Sequence, residues 1–216
     1  MKRPFADYHV FSLCKINQPE YSHLKLLLGW PVYFLLYILT EQLIPAAQCR
    51  PIHCTLDDTI PFCEFFVIPY VLWYGLIAFS LFYFLLYNVG SFKKLQKYII
   101  FLQLSAIVIY IIFPSRQDLR PEFFPRENLF TDIVSFIYSI DTNTGVCPSL
   151  HCGISIAIAS VWAKSENIPK SIKVSIAFFC LIICMSTVFI KQHSFIDFLA
   201  AIPLCLVGEY LLSQNP

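Results

Sequence analysis

The sequence predicts an all-α protein that consists of one integral membrane domain, a bundle of six transmembrane helices. Of its 216 residues, 57% are hydrophobic and only 13% are charged, whereas soluble domains carry about 25% charged residues. The apolar residues form six continuous stretches, and lipid offers no partner to an unpaired peptide group, so these stretches predict helices. The net charge of +1 provides no basic field for a polyanion. We therefore expect the bilayer as the environment and no nucleic-acid partner.

Most of the predicted spans are close to the roughly 20 apolar residues that cross a bilayer. In chain order they lie at about Leu26–Pro45, Phe65–Tyr87, Leu95–Phe113, Ser149 to Trp162–Ala163, Ile172–Ile190 and His193–Leu212. The fourth is shorter than the hydrocarbon core is thick, which predicts that it starts at headgroup depth. We divide the chain into a single domain over 1–216, with a cytoplasmic tail over 1–24 and a long outer loop over 114–148.

The basic residues predict the orientation of the spans. With the N-terminus in the cytoplasm, the inner side holds ten of the 15: Lys2, Arg3, Lys15, Lys25, Lys93, Lys94, Lys97, Lys164, Lys170 and Lys173. The outer side holds the other five: Arg50, Arg116, Arg120, Arg126 and Lys191. This asymmetry agrees with the positive-inside rule. It predicts a multi-pass protein whose 114–148 loop is extracytoplasmic, and we expect the plasma membrane as its location.

The outer loops carry two further features. Within Glu127–Ile140, apolar residues recur at helical spacing, which predicts a short helix that either lies on the membrane surface or packs on the spans as a lid. Four cysteines lie on or near the outer side: Cys49, Cys54, Cys63 and Cys147. Cys49 and Cys54 can pair if that side is oxidising. Two bridges among the four are an alternative.

Two ionisable residues lie at the start of the last span, in a run that is otherwise apolar up to Val207. His193 and Asp197 are four residues apart, which places them on one face of a helix. A carboxylate at membrane depth is costly and usually faces a cavity or a partner. We expect Asp197 to accept the ring N–H of His193, which makes the other ring nitrogen a better base or nucleophile. A structural buried pair and a metal site are the alternatives.

The fourth span opens with the segment Cys147-Pro148-Ser149-Leu150-His151. Pro148 fits the first turn of a helix. Ser149 then sits among free backbone N–H groups, where helices bind anions. His151 follows within one turn. The alternative for Ser149 is a plain helix cap.

Two arginines, Arg116 and Arg120, follow the third span. Their forked donors suit phosphate oxygens; headgroup contact or solvated charge is the alternative. The predicted topology places Arg120, Ser149, His151, His193 and Asp197 at the same, outer side of three spans. Histidines, a carboxylate, a helix N-terminus and an arginine together indicate a phosphoryl-transfer site.

These residues resemble the type 2 phosphatidic acid phosphatase superfamily of membrane lipid phosphatases and phosphotransferases. The family pattern is Lys, six residues and Arg-Pro; then Pro-Ser-Gly-His; then Ser-Arg, five residues, His, three residues and Asp. The matching positions are Arg120-Pro121, Pro148-Ser149-Leu150-His151, and Ser186 with His193 and Asp197. The resemblance covers roughly Ser115 to the end of the sixth span and implies the helical fold that these phosphatases share with haloperoxidases.

The sequence departs from the family pattern at three positions. Phe113 replaces the first Lys, Thr187 replaces the Arg of the third piece, and Leu150 replaces Gly. Arg116 and Lys191 are the candidates to replace the two missing cations. The form Pro-Ser-Leu-His resembles that of inositol phosphorylceramide synthases, which are phosphotransferases.

The resemblance implies a role for each matched residue. His193 attacks phosphorus to form a phosphohistidine, Asp197 orients it, and His151 protonates the leaving alkoxide. Arg120 and Ser149, with Arg116 or Lys191, bind the phosphate oxygens of a lipid substrate. The resemblance implies no metal and no cofactor. The expected activity is hydrolysis of a lipid phosphate or polyprenyl diphosphate; headgroup transfer and a non-enzymatic transporter with a His–Asp proton relay are the alternatives.

Overall fold

Eight α-helices build the described part of the chain, which is Tyr8 and residues 12–214 of the computed structural model. They are α1 (Gly29–Leu43), α2 (Thr55–Thr59), α3 (Val67–Tyr87), α4 (Val89–Ile112), α5 (Leu129–Ile140), α6 (Leu150–Lys164), α7 (Lys170–Phe189) and α8 (Phe195–Gln214). Two short strands, β1 (Arg50–Pro51) and β2 (Ser115–Arg116), pair in parallel. The predicted inner charges Lys2 and Arg3 lie outside the described residues.

Five helical segments are long and apolar enough to cross a membrane. They are Ser22–Leu43, Glu64–Tyr87, Val89–Ile112, Lys170–Phe189 and Phe195–Gln214. The first and second are α1 and α3 extended by the 3-10 turns that precede them. The structure therefore confirms an all-α membrane bundle. The helix α6 occupies the predicted fourth span but has only 15 residues.

Two helices show how a polar cap, rather than hydropathy, sets the first turn. The third span was predicted from Leu95, whereas α4 begins at Val89, where the Asn88 side chain accepts a hydrogen bond from the Ser91 N–H at 3.1 Å. The sixth was predicted from His193, whereas α8 begins at Phe195. Hydropathy locates the apolar part of a helix, while capping decides where the helix starts.

The short helix α6 lies at the centre of the bundle. It packs against α3, α4, α7 and α8, and its apolar side chains Ile154, Ala157 and Ile158 are buried. At Gly153 the helix α6 lies close to α4, where a Cβ atom would be in ordinary van der Waals contact with the Leu102 side chain, at 3.6 Å. The first turn of α6 is thereby held inside the molecule and not at its surface.

The predicted outer loops meet at one end of the bundle. The Arg50 N–H donates to the Pro114 carbonyl at 2.9 Å, and the Cys63 N–H donates to the Phe189 carbonyl at 3.0 Å. The opposite end contains the Lys164–Glu209 ion pair. The loops assigned to one side of the membrane are thus together in space.

The amphipathic segment in the long loop forms α5, which packs on the bundle. Its residues Val134 and Ile137 are buried in a cluster with Val67, at the start of α3, and Ile190, just after the end of α7. Phe136 on another face of α5 is exposed. The helix α5 therefore packs on the spans through its buried face, as the lid alternative predicted.

All nine cysteines are unpaired, so neither predicted disulfide arrangement is formed.

Candidate active site

His193 and Asp197 form the predicted pair, although not as two residues within one helix. The His193 Nδ1 donates to the Asp197 Oδ2 at 3.2 Å. His193 lies in the turn before α8, and Asp197 lies in its first turn, where its Oδ2 also accepts the Ser194 N–H at 3.0 Å. The Ser194 hydroxyl accepts the Ile196 N–H at 3.2 Å, so Ser194 caps α8, and Asp197 provides the reciprocal half of a capping box, Ser-x-x-Asp. The same carboxylate therefore starts the helix and orients the histidine.

A loop more than 130 residues earlier holds this turn in place. The buried Asp57 accepts from the Ser194 hydroxyl at 2.6 Å and from the Phe195 N–H at 2.8 Å. It also accepts from the Cys54 N–H at 2.8 Å. Asp57 was not among the predicted site residues. The sequence marks this predicted outer loop only by its two neighbouring acidic residues, Asp57 and Asp58. No sequence pattern links Asp57 to Ser194.

The second histidine, His151, faces the first across a short gap. The centroids of the His151 and His193 rings are 5.8 Å apart. The His151 ring stacks on Tyr70, with centroids 4.4 Å apart, and contacts Trp73 in a tilted arrangement, with centroids 4.0 Å apart. Its Nε2 is buried and has no hydrogen-bond partner among the described residues. The aromatic rings fix the plane of the imidazole and leave that nitrogen available to a ligand.

Both histidines line a cavity of about 480 Å³ between α1 and α3. Its polar end is formed by the residues Asp141, Thr142, His151, Gln192 and His193. Apolar and aromatic side chains line the remainder, among them Trp30, Tyr33, Phe34, Trp73, Ile77 and Leu81. From Trp73 to Leu81 the cavity extends eight residues along α3, which is about 12 Å. The cavity therefore joins a polar site at one end of the bundle to an apolar interior.

Ser149 is the cap of α6, as its alternative interpretation predicted. Its hydroxyl accepts the Cys152 N–H at 3.4 Å, and its own N–H donates to the Asp197 carbonyl at 3.1 Å. This second bond fixes the first turn of α6 against the first turn of α8. The N–H groups of Leu150 and His151 follow, in the turn where a helix has no internal acceptors. Anion binding at this terminus stays a prediction.

Arg120 lies behind the polar end of the cavity and supports it. Its guanidinium donates to the carbonyl groups of Tyr138, Asp141 and Thr142 at 2.9–3.1 Å and to the Gln192 Oε1 at 2.7 Å. The Arg120 Nε is buried without a partner among the described residues. Burial lowers the pKa of Arg120 from its ordinary value, but a guanidinium stays charged at any physiological pH. Arg120 thus holds the loop and places a positive charge beside the cavity.

The predicted clamp of two arginines is not formed, because Arg116 binds a different part of the structure. Its guanidinium donates to the Asp118 carboxylate at 3.0 Å and to the Ala46 carbonyl at 3.1 Å. The Lys191 Nζ donates to the carbonyl groups of Asp57 and Ile60 at 2.7 and 2.6 Å. Neither Arg116 nor Lys191 is among the residues that line the cavity. Arg116 and Lys191, which were expected to replace the two missing cations of the family pattern, therefore bind oxygen atoms of the protein itself.

Asp141 and Gln192 are cavity residues that sequence reasoning missed. The Gln192 Nε2 donates to the Asp141 Oδ2 at 3.3 Å. Burial raises the pKa of the Asp141 carboxyl above its ordinary value, against the opposing effect of nearby positive charge. Gln192 is adjacent to His193 in the sequence, which is the signal that would have identified it. Asp141 has no comparable signal, since it is one of several polar residues in the 114–148 loop.

The arrangement suits transfer of a group between a substrate and His193. Asp197 fixes the proton on Nδ1, which leaves the Nε2 lone pair for attack. His151 stands opposite with a free nitrogen, and Arg120 supplies positive charge. Comparison of the chain with family models, curated proteins and solved structures found no match. The resemblance to type 2 phosphatidic acid phosphatases therefore stays a prediction, and function is argued from the site.

Proposed function

We propose that the protein is a membrane lipid phosphatase with six transmembrane helices and a type 2 phosphatidic acid phosphatase-like fold. The observation that carries the proposal is the placement of the His193–Asp197 pair and His151 at the polar end of an apolar cavity inside a membrane bundle. A soluble phosphate ester has no use for such a cavity, whereas a lipid fills it with its chain.

The proposed reaction proceeds in two steps at His193. The Nε2 of His193 attacks phosphorus, and the bond between phosphorus and the lipid oxygen breaks. The leaving alkoxide takes a proton from His151, so that a lipid alcohol and a phosphohistidine are formed. His151 then accepts a proton from water, which attacks phosphorus and releases inorganic phosphate and free His193. Asp197 keeps its hydrogen bond to Nδ1 throughout and stabilises the charge on the ring.

The dimensions of α6 support a site at headgroup depth. Its 15 residues span about 22 Å, against a hydrocarbon core of about 30 Å. If the opposite end of α6 lies at the inner interface, beside Lys164, its first turn is recessed below the outer one. A lipid that enters sideways between α1 and α3 then brings its phosphate to the histidines without leaving the bilayer. The proposed site faces the extracytoplasmic side, as the positive-inside rule predicts, and the proposed location is the plasma membrane.

The test is phosphate release from lipid phosphates by the purified protein in nanodiscs. The panel contains phosphatidate, ceramide 1-phosphate and farnesyl diphosphate, and the variants are His193→Ala and His151→Ala. A matched control is His53→Ala, because His53 also pairs with an aspartate, Asp58 at 2.8 Å, but is exposed and outside the cavity. We expect His193→Ala to abolish activity, His151→Ala to lower kcat by about 10²–10⁴-fold, and the control to match the parent protein.

Two further measurements separate the alternatives. An acid-labile, alkali-stable radiolabel on the protein after brief incubation with labelled lipid phosphate reports the phosphohistidine, and it must be missing from His193→Ala. Headgroup exchange between lipids without release of inorganic phosphate would identify a phosphotransferase. Folded His193→Ala and His151→Ala proteins that keep full activity would refute the catalytic assignment.

A further inference from the structure

Gln103 is a buried polar side chain with no assigned role, in the middle of the membrane-spanning helix α4. Its side chain is 1% exposed, yet it lines the same cavity as the histidines. Among the described residues, neither its Oε1 nor its Nε2 has a hydrogen-bond partner. An amide buried without partners is unfavourable, because it loses its bonds to water and gains none. Such a group is unusual in a folded protein and calls for an explanation, and its place in the cavity wall offers a ligand as that explanation.

A second glutamine two turns earlier in α4 shows the contrast. Gln96 is fully buried, and its Oε1 accepts the Trp30 indole N–H at 3.3 Å while its Nε2 donates to the Leu26 carbonyl at 3.1 Å. Gln96 therefore has a structural role, since it joins α4 to the start of α1. Gln103 makes no such connection, although it belongs to the same helix and is equally buried.

The depth of Gln103 relative to the histidines can be read from the packing of α4. Its neighbour Leu102 packs against Gly153, which is only two residues beyond His151 in α6. In the other direction, Tyr110 is seven residues away and donates to the Pro148 carbonyl at 2.9 Å, just before α6. Seven residues of helix rise about 10 Å. Gln103 thus lies within about two helical turns of the proposed phosphate site, on the apolar side of it.

We propose that Gln103 recognises the acyl carbonyl group of the lipid substrate. This inference rests on the proposed function. In an acylated phosphoglycerolipid or phosphosphingolipid, the first carbonyl lies a few bonds from the phosphate, at the boundary between headgroup and chains. The Gln103 Nε2 donates to that carbonyl oxygen. If the acyl linkage is an amide, its trans geometry points the C=O and the N–H in opposite directions, so Gln103 binds either the carbonyl through Nε2 or the N–H through Oε1.

The proposal distinguishes two classes of lipid phosphate. Isoprenyl phosphates carry only hydrocarbon at this depth and would leave Gln103 without a partner. A site with a polar group that needs a hydrogen bond discriminates against a ligand that lacks it. We therefore expect preference for acylated lipids over isoprenyl phosphates.

The test compares substrates that differ at this one group. The wild-type protein and Gln103→Leu are assayed with phosphatidate, its dialkyl ether analogue without carbonyls, ceramide 1-phosphate and farnesyl phosphate. We expect Gln103→Leu to lower kcat/KM by about 5–30-fold for the acylated lipids, which corresponds to one hydrogen bond, and to leave the ether and farnesyl substrates unchanged. A larger effect with ceramide 1-phosphate than with phosphatidate identifies an amide linkage, and the reverse identifies an ester.

The control is Gln96→Leu, which we expect to lower thermal stability and to affect all substrates alike. Gln103→Leu should be at least as stable as wild type without lipid, since it removes an unsatisfied group. An equal loss for every substrate, or no loss for any, overturns the inference while the proposed function stands. If wild type cleaves none of these lipids, the proposed function fails, and a binding measurement then decides the inference. The inference holds if diacylglycerol or ceramide raises the Tm of wild type, farnesol does not, and Gln103→Leu loses this stabilisation.

Discussion

The Asp57→Asn substitution tests how the site is held together. Asp57 accepts three hydrogen bonds at 2.6–2.8 Å, and two of them come from the first residues of α8, Ser194 and Phe195. Asparagine has nearly the same shape, but its amide nitrogen replaces one acceptor oxygen. The Ser194 hydroxyl can rotate to accept a bond, whereas the Cys54 N–H is left without an acceptor.

The magnitude follows from these three bonds. One orphaned donor costs about 1–3 kcal/mol, and each remaining bond loses about 1 kcal/mol when its acceptor is no longer charged. The sum is about 3–5 kcal/mol, comparable to the loss of one partner from a buried ion pair. For a chain of this size, that lowers Tm by roughly 6–20 °C. A displacement of His193 by about 1 Å would lower activity by roughly 10²-fold.

The assay measures thermal unfolding and phosphate release for Asp57→Asn and for Asp58→Asn. Asp58 is the matched control, because it is the neighbouring carboxylate and pairs with His53 in an exposed ion pair, and such surface pairs contribute little to stability. We expect a large effect at Asp57 and almost none at Asp58. Equal Tm and equal activity in the two variants would refute the idea that Asp57 positions the start of α8.

The same residue predicts a pH dependence. Burial alone would raise the pKa of Asp57, but the hydrogen bonds from Ser194, Phe195 and Cys54 outweigh it and hold the pKa below its ordinary value. A lowered pKa contributes stability that is present above the unfolded value of about 3.9 and is lost as the pH falls through the folded value. The Tm difference between wild type and Asp57→Asn should therefore shrink below about pH 4.

Two further substitutions test the supports of the site and of the bundle. Arg120→Lys removes the planar guanidinium that binds four acceptors, including Gln192. We expect a lower Tm and lower phosphate release, because lysine cannot reproduce such a geometry. Wild-type values for both would contradict the supporting role of Arg120. Gly208→Ala places a Cβ atom 2.5 Å from the Tyr98 ring. The overpacking costs about 1–3 kcal/mol, the higher helix propensity of alanine returns about 1 kcal/mol, and we expect a lower Tm. The control Gly75→Ala, whose Cβ meets nothing within 4 Å, should not lower Tm.

The identity of the membrane helices was predictable, and so was the contact between His193 and Asp197. Continuous apolar runs identify spans because lipid tolerates only satisfied backbone. The four-residue spacing brought the two side chains together even though the helix begins later than expected. The Ser194–Asp197 capping box is visible in the sequence and would have given the correct start.

The partners of the outer cations were not predictable from the sequence. Arg116 and Lys191 have the charge and the position of phosphate ligands, but each binds carbonyl groups of a neighbouring loop. A free cation and a structural one look alike in a sequence, because the acceptors are backbone oxygens that every residue carries. The same holds for the acidic residue Asp57, whose hydrogen bonds to Ser194 and Phe195 were not predictable from the sequence.

The sequence by itself determined that this chain is a helical membrane protein, and it indicated the candidate site residues, because charge is so scarce that each ionisable group in an apolar run stands out. Only the tertiary structure decided which side chains line a common cavity. Membrane-spanning helices are apolar on their lipid-facing and core-facing sides alike, so periodicity does not orient them. The juxtaposition of Trp30, Leu81 and Gln103 with the histidine pair thus depends on how α1, α3 and α4 pack against each other.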